Sequence, residues 1–289
     1  MTDGAQINWL PDGRRVHFHH GPIDLVVEVQ GGKDDCTDAM QQASEIFPQV
    51  LPELVRELEF LRSPINSMRA APAGAVAKKM VEAAKMHAAR HFVTPMISVA
   101  GAVADYMLQT LIAERLLSRA YVNNGGDIAI FLNEGETFDI AICEHISTQG
   151  FNSTLRLDAA SGVGGVATSG WRGRSHSLGI ADAVTVLSHN AASADAAATL
   201  IANAVNLPAS PKVIRLPADE LLPDSDLGTL PVTVSVESLN DEEATQAINN
   251  GAGVALQMLK TGSIKGVLIA LQGKTRVLGS VLNSQLASA

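Results

Sequence analysis

The spacing of apolar residues changes character three times along the chain, and each change predicts a different set of elements. Val16 to His20 alternates, and Ile23 to Val29 is an apolar run of strand length closed by the turn pair Gly31-Gly32. From Cys36 to Leu61 the apolar positions recur at helical spacing, although Pro48 and Pro52 are expected to break or restart that helix. Ala73 to His91 predicts a second helix. Pro95 opens a third, with Ser98 as its expected cap, running to about Arg119.

From Ala120 the period shortens to that of strands. Tyr121-Val122, Asp127 to Leu132 and Thr137 to Cys143 are separated by Asn123-Asn124-Gly125-Gly126 and Asn133-Glu134-Gly135-Glu136, both with turn chemistry. Ser153 to Asp158 and Val163 to Thr168 continue the meander, and an alanine-rich helix follows from about Ser193 to Val205. Pro208, Pro211, Pro217 and Pro223, among acidic residues, then suggest a linker over about 207–229. Leu230 to Val236 reads as a strand, Asp241 to Thr261 as a helix, and Val267 to Leu271 with Thr275 to Leu278 as a closing hairpin. Helices set between antiparallel runs indicate an α+β fold and not a doubly wound parallel sheet.

The chain has 289 residues, enough for one large domain or two smaller ones. Charged residues are only 18% of the chain and hydrophobic ones 46%, so apolar surface is left over, which an assembly such as a homodimer would cover. A net charge of −9 argues against a nucleic-acid partner, which needs clustered Lys and Arg. Arg172-Gly173-Arg174 is too short for a duplex but suits one phosphorylated small molecule. Cys36 and Cys143 show no metal-ligand spacing, and no secretory leader is read at Met1, so the cytoplasm is the expected compartment. The apolar window from Met96 to Leu117 contains Asp105, Glu114 and Arg115 and reads as a buried helix, with no membrane partner.

The candidate chemistry lies between Gly164 and Thr199. Ala167-Thr168-Ser169-Gly170 ends a strand of small residues in hydroxyls, and His176 follows in a polar connection. Asp195 and Thr199 are four apart on the alanine-rich helix and so share a face. Two oxygen ligands there suit a hard cation with a phosphate-bearing ligand. Both also have plainer readings: an Asp in a first helical turn offsets the dipole, and a helical Thr bonds its own backbone. His176 could act as a general base or be a solvated loop residue. His87 and His91 have the i, i+4 spacing of a zinc pair but lack a third ligand nearby, and His17, His19 and His20 read as the edge of a sheet.

The succession Asn-x-Gly-Gly-Asp, Ala-Thr-Ser-Gly, His, Val-Thr-Val and Ala-Asp-(three residues)-Thr resembles the ApbE family of flavin transferases. Thr94 to Asp105 and His176 to Asp182 resemble its UPF0280 branch more closely. The resemblance implies one domain over residues 1–289, built of two T-fold-like halves. It implies binding of a flavin nucleotide (FAD or FMN) with Mg²⁺ or Ca²⁺, and transfer of FMN to a Ser or Thr of a protein acceptor. By motif, Asp195 and Thr199 match the metal ligands and His176 the catalytic histidine. Asn124, Gly125, Gly126 and Asp127 match a flavin-side loop, Ala167, Thr168, Ser169 and Gly170 a flavin-contacting turn, and Ser98 joins the cofactor-binding set. The Ile-Ile-Asp-Pro that follows the family's histidine is replaced here by Ser177-Leu178-Gly179-Ile180. The resemblance also leaves a non-catalytic flavin-binding role, or an accessory role in sulfur assimilation towards homocysteine, on the same scaffold.

Overall fold

The computed structural model describes residues 4–142, 153–173 and 175–282. Cys143 and Arg174 lie outside the described residues. Two compact units are present, and the chain passes between them several times. The first comprises Met1–Phe138, Asp158–Val166 and His189–Ala196; the second comprises Asp139–Leu157, Ala167–Ser188 and Ala197–Ala289.

In the first unit, β1 (Gln6–Trp9), β2 (Arg15–His20), β3 (Ile23–Gly31), β4 (Leu117–Asn124) and β5 (Asp127–Leu132) pair antiparallel in that order. Gly165 and Val166 extend the row beside Ala129 and Ile128. Helices α1 (Lys33–Arg56), α2 (Leu58–Leu61), α3 (Ala75–Lys85) and α4 (Val99–Ile112) intervene between β3 and β4. Strand alternation buries Val16 and Phe18 on β2 and Leu25 and Val27 on β3. Against them α1 sets Ala39, Met40, Ala43, Phe47, Val50 and Leu54, a stripe at helical spacing. The Phe18 and Phe47 rings meet edge to face at 5.2 Å.

Two expectations are corrected here. Pro48 and Pro52 do not interrupt α1. Phe47, Val50 and Leu54 bury their side chains around them, and that packing outweighs the lost backbone bonds. The third helix stops at Ile112 and not near Arg119. Glu114 takes a left-handed φ of 59°, which ends the helix although glutamate is a good helix former, and β4 begins at Leu117. The span Pro95–Ile112 is apolar and long enough to cross a membrane by composition. Within the unit, α4 packs on α1, α3, β4 and β5 and buries Ala102, Val103, Met107 and Leu111 completely or nearly so, as a core helix does.

The second unit is also built of antiparallel pairs. β6 (Thr137–Ile142) neighbours β7 (Ser153–Asp158), and the last three residues of β8 (Gly165–Ser169) run beside β9 (Ala183–Ser188). After α5 (Ala191–Ala204) come β10 (Val213–Pro217), α6 (Ala218–Leu221), β11 (Pro231–Val236), α7 (Asp241–Lys260), β12 (Gly266–Leu271) and β13 (Lys274–Leu278). β12 pairs with both β9 and β13. β9 and β12 are buried at every position, which explains the continuous apolar sequence of β12 and the mostly apolar one of β9, where only Thr185 and Ser188 are polar. The expected linker over 207–229 holds β10 and α6, and β10 pairs with β11. The fold is α+β, with antiparallel sheets and packed helices, as the hydrophobic pattern indicates.

Candidate functional site

The N-terminus of α5 is held by Asp105, the last residue of the Thr94 to Asp105 segment, for which sequence alone indicates no role at the site. The Asp105 carboxylate, on α4, accepts hydrogen bonds from Ala191 N at 2.9 Å and Ala192 N at 2.8 Å. Asn190 Oδ1 accepts a third from Ser193 N at 2.7 Å. These bonds satisfy amides that a helix start leaves without internal partners. Asp105 is buried, and that burial raises its pKa against the opposing pull of the two amides, Lys79 and His189. Its sequence signals are a carboxylate inside an apolar helix and its place at the end of the Thr94 to Asp105 segment, neither of which points to a capping role. Asp105→Ala is expected to cost about 2 kcal/mol in urea unfolding, because two buried amides lose their acceptor. A loss below the scatter of the measurement would show that water replaces the carboxylate.

Within the first unit, glycines set how near the first turn of α5 lies to its neighbours. An added Cβ on Gly101 would stand 2.8 Å from Ala192 N and nearer still to the Ala191 carbonyl. One on Gly165 would overlap the peptide joining Asn190 to Ala191. Gly164 and Gly165, prominent in sequence beside the expected flavin turn, are thus required by backbone packing.

α5 begins two residues earlier than expected, which puts Asp195 in its second turn and removes the first-turn dipole explanation for it. Asp195 Oδ2 accepts from Gly101 N at 3.0 Å, and the Ala100 amide also bonds to this carboxylate. Asp127 and Asp105 stand near enough to repel it. Burial, then Asp127, pushes the Asp195 pKa well above its ordinary value of 3.8, despite the two amides. Asp127 closes the two-residue hairpin from β4 to β5, where Gly125 and Gly126 take φ of 64° and 114°, open chiefly to glycine. Buried Asn124 ties this turn to α4 by donating from Nδ2 to Ala100 O at 3.1 Å. The structure therefore brings the turn 124–127 and Asp195 together around the start of α4.

Ser98 occupies the N-cap position of α4, but its side chain caps no amide, contrary to expectation. Its fully buried hydroxyl is 3.3 Å from both Met80 O and Pro95 O, to which it donates.

In the second unit, Ala167 is buried in β8, Thr168 is exposed with its Oγ1 2.9 Å from Thr185 Oγ1, and Ser169 ends the strand. Gly170 is packed so closely on the Asp182 carbonyl that no side chain fits there. His176 is partly exposed in the connection from β8 to β9. The segment after it is anchored to α5. Ser177 Oγ and Leu178 N donate to Asn203 Oδ1 at 3.1 and 2.9 Å, and Asn206 Nδ2 donates to Leu178 O at 2.7 Å. Gly179 lies too close to the Ala202 carbonyl for a Cβ. Within the second unit, the residue that fixes the His176 loop, Asn203, lies one turn after Thr199 on α5. Asn203 and Asn206 carry no motif signal, since an asparagine late in a helix usually marks only its end.

The model described as AbpE bacteria matches residues 7–277. The chain belongs to this bacterial ApbE-like family. A UPF0280 protein of Methanothrix thermoacetophila is 39% identical over 108 residues, covering 37% of this chain and 44% of that protein. The match thus spans less than half of that relative's length. Among solved structures, the flavinyl transferase ApbE of Pseudomonas stutzeri, in its apo form, aligns over 99% of this chain and 98% of its own with a TM-score of 0.55. A mutant of the flavin transferase ApbE from Vibrio cholerae aligns over 97% of this chain and 98% of its own with a TM-score of 0.50. Both are 11% identical to this chain, so they establish the ApbE-like fold alone.

Proposed function

We propose that this protein binds a flavin nucleotide with a divalent cation and transfers the FMN part of FAD to a Ser or Thr hydroxyl of an acceptor protein. The crowding at Asp195 carries the reading. Burial and the carboxylates of Asp127 and Asp105 all disfavour its charge, and a bound cation would reverse that balance. Carboxylate and hydroxyl oxygens suit Mg²⁺ or Ca²⁺. Asp195 and Thr199 would hold the ion. The turns 124–127 and 167–170, motif matches to the family's flavin-side segments, would supply backbone amides and hydroxyls to the nucleotide. When bound, the cation offsets negative charge on the pyrophosphate. His176 takes the acceptor's hydroxyl proton as the new oxygen–phosphorus bond forms. The bond to the AMP oxygen breaks, and AMP leaves with that electron pair.

Thermal unfolding with and without Mg²⁺ tests the cation. Because the folded-state pKa of Asp195 lies above 3.8, its contribution to stability is greatest below that pH and falls as pH rises through the folded-state value. In metal-free buffer, wild type should lose stability relative to Asp195→Asn as pH rises from 4 to 7. At about 100 times its dissociation constant, Mg²⁺ should restore about 2.7 kcal/mol to wild type and almost nothing to Asp195→Asn. An equal response of the two proteins would remove Asp195 from the cation site. No response of wild type to Mg²⁺ or Ca²⁺, with or without FAD, would sink the cation reading.

A further inference from the structure

We propose that His17, His19 and Asp24 bind a zinc-type transition-metal ion at a site separate from Asp195. The three residues belong to the β2–β3 hairpin of the first unit. His17 and His19 are two apart on β2, which puts them on one face, and Asp24 stands directly opposite His19. One ligand atom from each lies within 4.8 Å of the others. His17 Nε2 is 2.6 Å from Asp24 Oδ1, and the two imidazole rings stack at 6.1 Å and 29°.

A structural hydrogen bond to Asp24 would need only one imidazole; here two converge on the same carboxylate. The opposite face of β2, Val16 and Phe18, is locked in the core, so the hairpin is a rigid platform. Asp24 N also donates to Asn124 Oδ1 at 3.4 Å, which ties this strand to β4. Across the face, β1 offers only the neutral Gln6 and Asn8 opposite His19 and His17. Arg15, the next residue along the face, is held by Asp12.

Two imidazoles and a carboxylate select Zn²⁺, Co²⁺ or Ni²⁺ over Mg²⁺ and Ca²⁺. Metal–ligand bonds of about 2.0–2.2 Å require donor atoms about 3.4 Å apart, so side-chain rotations of about 1 Å close the site. Three protein ligands leave a fourth position for water or for a donor from another molecule.

Co²⁺ is the probe, because tetrahedral Co²⁺ absorbs strongly in the visible. Wild type titrated with Co²⁺ should bind one equivalent with such a band. His17→Gln and His19→Gln should each weaken it at least 10-fold, and the double variant should abolish it. Asp195→Asn and a large excess of Mg²⁺ should leave it in place, which separates this site from the proposed flavin-side cation. No band in wild type, or a band retained by the double variant or lost in Asp195→Asn, would overturn the proposal. Should the histidine variants misfold, paramagnetic shifts of the His17 and His19 ring protons in wild type would locate the ion without them, and unshifted rings would overturn the proposal equally.

Discussion

Replacing His176 with alanine should leave FAD and Mg²⁺ binding unchanged and slow covalent FMN transfer by about 10²–10⁴, the usual loss for a missing general base. The expectation depends on the residue being held in place, and the structure bears on that directly. This chain lacks the Asp-Pro found after the family's histidine, yet Ser177 and Leu178 are bonded to Asn203, and Gly179 is pressed against the Ala202 carbonyl. The anchoring residue, Asn203, lies one turn after Thr199 on α5. A different local sequence therefore fixes the segment that follows His176. Purified protein with FAD, Mg²⁺ and a Thr-bearing acceptor would be assayed by in-gel flavin fluorescence. Undiminished labelling by His176→Ala would remove the residue from the mechanism. Absence of labelling by wild type across several acceptors, despite tight FAD binding, would favour a protein that holds flavin without transferring it.

The elements are legible where local pattern and tertiary packing agree. The 124–127 hairpin can be read from Asn-Gly-Gly-Asp because two successive left-handed positions leave few other residue choices. α7 is equally plain because Asn240 and Glu243 form a reciprocal capping box ahead of its apolar positions. Pro48 and Pro52 mislead because a single sequence does not show the Phe47 contacts that outweigh them. Glu114 misleads for the opposite reason: a helix-favouring residue sits where the backbone turns left-handed. In sequence, Asp195 stands out because Thr199 follows four residues later, whereas Asp105 acts on residues 86 and 87 positions further along. Long-range capping of that kind leaves no periodic trace. The same holds for the glycines, whose sequence neighbourhood suggests ligand contact and whose actual neighbours are peptide groups of α5.

Those glycines give the largest expected loss of stability. Gly101→Ala and Gly165→Ala should each destabilise the protein by about 3 kcal/mol or more, lowering the unfolding midpoint by roughly 6–12 °C. In both, the atoms in the way are backbone atoms of the Asn190–Ala192 segment, which cannot swing aside as a side-chain tip can. That segment is further fixed by the two bonds to Asp105, so relief at one point strains the other. Gly253, exposed on α7 with nothing within 4 Å of a Cβ, is the internal control. Gly253→Ala should raise stability by about 0.4–1 kcal/mol, through helix propensity and a less flexible unfolded chain. Comparable midpoints for all three variants would mean that α5 moves freely enough to admit a methyl group. Because Asp195 rides on α5 and is bonded to Gly101 N, a shift of that kind would also displace the carboxylate. A Gly101→Ala protein that remains folded should therefore show a weakened thermal response to Mg²⁺, whereas Gly253→Ala should respond as wild type does. A full Mg²⁺ response in Gly101→Ala would separate the cation site from the packing of α4 on α5.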